Sequence, residues 1–66
     1  MEIMKFNQGI YNLEAVKKAA AEFKKLANFT IKEANGNIEV KIDKIDQGFK
    51  GVLKDEFANY VLGLMS

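Results

Sequence analysis

Apolar and polar positions change their spacing along this chain, and the changes divide it into a strand, a helix, a hairpin and a second helix. From Glu2 to Phe6 the two kinds alternate, with Met4 and Phe6 on one face and Ile3 and Lys5 on the other, which predicts a short strand. Asn7-Gln8-Gly9 ends it, glycine supplying a permissive backbone. Apolar residues then recur in steps of three and four at Leu13, Val16, Ala20, Phe23 and Ala27, with Leu26 beside them. That spacing predicts a helix over 13–27. Asn12 is placed to cap it, and Tyr11 and Val16 are spaced as a hydrophobic staple. The opposite side carries Glu14, Lys17, Lys18, Glu22, Lys24 and Lys25, a solvated face.

Alternation returns in Phe29–Ala34 and again in Asn37–Asp43, on either side of Asn35-Gly36. Asn-Gly is the strongest two-residue hairpin signal because both positions tolerate positive φ. Such a turn pairs Ala34 with Asn37, Glu33 with Ile38, Lys32 with Glu39, Ile31 with Val40, Thr30 with Lys41 and Phe29 with Ile42. Directly opposed residues share a face. One face therefore collects Phe29, Ile31, Ile38, Val40 and Ile42, and the other Thr30, Lys32, Glu39 and Lys41. A slip of one residue would invert the arrangement, so turn chemistry and hydrophobic pattern specify the same register. Asp46-Gln47-Gly48 reads as a turn and Gly51 as a second break. The last helix is predicted from Val52 or Leu53, with Leu53, Phe57, Tyr60, Val61 and Leu64 as its stripe. Asp55 and Glu56 sit at the positive end of its dipole.

Strand, helix, strand, strand, helix is a split βαβ unit of the α+β class. The crossover helix makes strands one and two parallel. Strand three then fits between them in the order 1-3-2, with 1-2-3 the open alternative, and both helices cover one face. The expected core is Phe6, Leu13, Val16, Ala20, Phe23, Phe29, Ile31, Ile38, Val40, Ile42, Leu53, Phe57 and Val61.

Composition narrows the function classes. Sixty-six residues make one small domain, 1–66, of a size that buries only about 60% of the surface of its unfolded chain. There is no Cys and no His, so disulfides, thiolate metal sites and the commonest general base are excluded. No cofactor is expected. The ten cations are all Lys and the net charge is +1, without the Arg forks and basic surplus that nucleic-acid binding uses. Met1–Phe6 lacks the apolar run of a secretory leader, and no stretch approaches the roughly 20 residues that span a bilayer. A cytoplasmic protein with no membrane contact is expected.

The nine acids read as solvated surface, apart from Glu33, which the register puts on the apolar face at the hairpin tip. Gly48 and Gly51 lack the following Lys-Ser or Lys-Thr of a phosphate loop, and no calcium-loop spacing is present. A non-catalytic, protein- or peptide-binding role is therefore expected. An open three-stranded sheet leaves two edges that template another strand. The segment Phe57–Met65 is also more apolar than a surface helix needs. The candidate partner-binding residues are Phe29, Ile31 and Lys32 on the hairpin and Tyr60, Leu62 and Met65 on the last helix. A homodimer through that helix is the alternative.

The stretch Tyr11-Asn12-Leu13-Glu14-Ala15-Val16-Lys17-Lys18-Ala19-Ala20, a hairpin, and then Leu53-Lys54-Asp55-Glu56-Phe57-Ala58-Asn59-Tyr60-Val61-Leu62 together resemble the HxsD-type proteins. These are small accessory proteins of His-Xaa-Ser peptide maturation systems. Ala21 departs from the pattern, which often has an aromatic residue nearby. The resemblance implies a helper acting beside radical SAM enzymes and assigns no site residue.

Overall fold

The computed structural model describes residues 2–66. Its elements are β1 (Glu2–Asn7), α1 (Leu13–Glu22), β2 (Asn28–Ala34), β3 (Asn37–Asp43), a one-turn 3₁₀ helix (Gln47–Phe49) and α2 (Leu53–Met65). The sheet order is β1-β3-β2, with β3 antiparallel to both neighbours. This is the 1-3-2 arrangement of a split βαβ unit. Ile38, Val40 and Ile42 explain the central place of β3: all three are fully buried, and only the middle strand is covered along its whole length.

The hairpin has the expected register, extended by one pair, Asn28 with Asp43. Asn35 and Gly36 take φ of 51° and 79°, the two positive values that a type I′ turn demands. Glu33 does project to the helix-bearing side, and the Gln8 side-chain amide donates to its carboxylate there.

The first helix is shorter than its periodicity suggests. It ends at Glu22 rather than at residue 27, with the Phe23 N–H donating to the Ala19 carbonyl as its last bond. The chain must reverse before β2 starts at Asn28, and a helix to 27 leaves no residues for the turn. Phe23, Leu26 and Ala27 keep their inward-facing role from a loop: Ala27 is buried, and Phe23 and Leu26 pack against the core. At the other end, the Asn12 side chain accepts from the Glu14 N–H at 2.7 Å, and Tyr11 meets the Phe6 ring edge-on at 4.8 Å.

The buried side of α1 is Ala15, Val16 and Ala19, one step round from the expected stripe. Leu13, Ala20, Phe23, Phe29 and Ile31, expected in the core, lie half-buried at its rim. The reason is the second helix. The start of α1 lies beside the end of α2, and Phe23 lies beside Phe57 and Tyr60, so the two helices run antiparallel. Alanine at the contact lets the backbones approach closely, and larger side chains are displaced to the flanks. Leu53, Phe57 and Val61 of α2 complete the core over the sheet face made by Phe6, Ile38, Val40 and Ile42.

Candidate functional site

The sheet has two edges, and their backbone groups differ. A two-residue hairpin closes on a hydrogen-bonded pair, here Ala34 with Asn37, and bonded and non-bonded pairs alternate from there. In β2 the backbone groups of Thr30 and Lys32 therefore face β3. Those of Phe29, Ile31 and Glu33 point away from the sheet. No partner for these outward groups occurs among the described residues. In β1 the outward residues are Ile3, Lys5 and Asn7, by the same alternation. There the Asn7 carbonyl is already occupied, accepting from Ile10 at 3.0 Å and Tyr11 at 2.8 Å. The middle outward residue of that edge is Lys5, where β2 has Ile31. The β2 edge is thus the more open of the two.

An aromatic row backs it. Phe29 stacks on Phe57 at 5.0 Å and 19° and meets Phe23 edge-on at 6.5 Å; Phe23 in turn contacts Tyr60 at 5.5 Å. Two candidates placed far apart in sequence, Phe29 and Tyr60, are thereby joined through Phe23. Ile31 lies half-buried on the same side of the sheet, and Lys32 projects from the exposed side, opposite Glu39. Phe23 is the member of this row that sequence reasoning placed in the core alone. No signal in the sequence marks it, because the helical spacing runs on through Phe23.

Leu62 and Met65 are exposed, as expected, but belong to a different surface. Met65 lies beside Ile10, Tyr11 and Leu13 around an open groove of about 500 Å³. Ile10 is 67% exposed and Leu64 41%, so this end of the molecule carries an apolar patch whose other half comes from the β1–α1 connection.

The open face of the sheet is polar. Its rows run Ile3, Lys41, Thr30 and Lys5, Glu39, Lys32 across the three strands. No polar or charged side chain among the described residues is buried, and none of their acids group into a set able to hold a metal ion. Among the same residues, no helix is long and apolar enough to cross a membrane. No protein-family model, curated protein or solved structure matches the chain.

Proposed function

We propose that this chain is a non-catalytic accessory module that binds a protein or an extended peptide along the β2 edge. The observation that carries the reading is the run of outward backbone groups at Phe29, Ile31 and Glu33, without partners among the described residues and backed by the Phe23–Phe29–Tyr60 row. An extended segment added there gains main-chain hydrogen bonds from the edge. Its alternate side chains continue the rim of the core, and the intervening ones fall beside Thr30 and Lys32. No polar or charged residue among the described ones is buried, and the edge offers main-chain groups beside an apolar rim, which supports binding. With the resemblance to the HxsD-type proteins, the partner is a peptide handled in the cytoplasm by a radical SAM maturation enzyme.

The test is selection of extended peptides from a random display library against the intact protein, followed by amide mapping. Bound peptides are expected to shift the Phe29, Ile31 and Glu33 amides. Shifts confined to the Ile10–Met65 patch would instead favour the second reading, a homodimer through the C-terminal helix. That reading rests on the exposure of Leu62, Leu64 and Met65 on one helix end.

A further inference from the structure

We infer that the β2 edge takes a second copy of this chain, pairing β2 with β2 in antiparallel fashion about a two-fold axis at Ile31, so that two sheets join into one of six strands. The inference rests on the reading of β2 as the docking edge and gives its occupant in the absence of peptide, which a bound peptide would displace.

The register follows from which groups point outward. In an antiparallel pair the outward residues of each strand must bond one another, so the axis passes through a residue of β2, and an axis on Lys32 would oppose Lys32 to Lys32. Centring on Ile31 uses the whole strand. It sets Ile31 against Ile31 of the second copy, Phe29 against Glu33, Thr30 against Lys32, and Asn28 against Ala34. No like charges are directly opposed. Each outward residue donates one N–H and accepts at one carbonyl, which satisfies every open group between Phe29 and Glu33. Opposed residues share a face, so the two helix layers lie on the same side. The half-buried Ile31 side chains then meet at the centre of the joined core rim.

The β1 edge lacks this self-complementarity. Centring on its middle outward residue opposes Lys5 to Lys5, and the Asn7 carbonyl is already engaged in the turn to Ile10 and Tyr11. A lysine at the centre of an edge opposes self-pairing, whereas Lys32 of β2 lies off the axis and faces Thr30. One strand pair buries an area at the small end of protein interfaces, so a weak dimer is expected, with a dissociation constant of about 100 μM.

The test is register-specific and uses Thr30, which is exposed on the open face, away from the core. In the proposed dimer its two copies each face a Lys32. Thr30→Glu is expected to tighten the dimer about three- to tenfold at low salt, and Thr30→Lys to weaken it by a similar factor. Sedimentation equilibrium from about 20 μM to about 1 mM reads both, and salt is expected to erase the difference. Amide exchange of Phe29, Ile31 and Glu33 is expected to slow as concentration rises, while Thr30 and Lys32, already bonded to β3, stay slow throughout. A dimer indifferent to the charge at position 30 would overturn the inference in favour of contact elsewhere. A protein that stays monomeric to about 1 mM would also overturn it. If selected peptides then shift the three outward amides, the docking edge stands and only the second copy is lost. If nothing shifts them, the edge reading fails as well.

Discussion

Replacing Phe57 is the sharpest probe of how this fold holds its edge in place. The ring is fully buried, stacks on Phe29 at 5.0 Å, meets Phe23 edge-on at 5.6 Å and lies 6.2 Å from Phe6. It therefore ties α2 to β1, to β2 and to the connection after α1. Truncation to alanine in a core costs about 3–5 kcal/mol in lost transfer energy and residual cavity. A domain of 66 residues has a total stability of about 3–10 kcal/mol, at roughly 0.05–0.15 kcal/mol per residue. Phe57→Ala is thus expected to remove from a third to all of the stability. Phe57→Leu, which keeps most of the volume but loses the ring pairs, is expected to cost about 1–2 kcal/mol and to lower Tm by about 5–15 °C. Urea titration followed by far-ultraviolet circular dichroism reads both, with the slope against urea unchanged if the native and unfolded states keep their compactness. Tyr60→Ala is the internal control: its side chain is 38% exposed, its one aromatic neighbour is Phe23, and about 1 kcal/mol is expected. A Phe57→Ala protein that folds with a loss under about 1 kcal/mol would refute the assignment of Phe57 as the centre of the core.

Three further expectations follow from local backbone chemistry. Asn12→Ala removes the side-chain acceptor for the Glu14 N–H and should cost about 1 kcal/mol, measured by the same urea titration. Gly51→Ala should cost about 1–2 kcal/mol: φ is 90° and nothing lies within 4 Å of the new methyl, so the loss is backbone strain alone. Lys44→Gly should stabilise by roughly 0.5–1 kcal/mol, because Lys44 holds φ at 51° against its own Cβ and glycine relieves that strain. Glycine keeps the N–H that bonds the Asp43 side chain, so no change, or a loss, in the Lys44 variant would refute the strain at this position.

How much was legible beforehand depended on whether two independent signals coincided. The hairpin register was readable because Asn35-Gly36 fixes the turn and the alternation of Ile38, Val40 and Ile42 fixes the face, and both give the same pairing. The strand order was readable as a preference, since β3 carries the cleanest apolar face. The end of α1 was not readable. Phe23, Leu26 and Ala27 continue the helical spacing, and only the demand for a chain reversal before Asn28 overrides it. The choice of Ala15 and Ala19 as the buried positions was hidden for a related reason: it depends on how closely α2 approaches, which no single segment encodes. At the candidate site, Phe29, Ile31 and Lys32 on an edge strand were legible. The occupation of the Asn7 carbonyl by Ile10 and Tyr11, which separates one edge from the other, was not. Left-handed Lys44 gave no warning either, being neither glycine nor asparagine.

The two properties that define this domain, a small core and an open edge, are energetically linked. A ligand or second copy that binds only the folded form at a hundred times its dissociation constant adds about 2.7 kcal/mol of apparent stability. For a large core that increment is minor, but against a total of about 3–10 kcal/mol it is a quarter or more of what holds the chain folded. The half-buried rim residues Phe29 and Ile31 are where the two terms meet, since covering them completes burial that the lone domain leaves unfinished. Engagement of the β2 edge should therefore appear as a rise in Tm with protein or peptide concentration. Substitutions that weaken the core without touching the edge should lower the apparent affinity as soon as the unfolded fraction becomes appreciable.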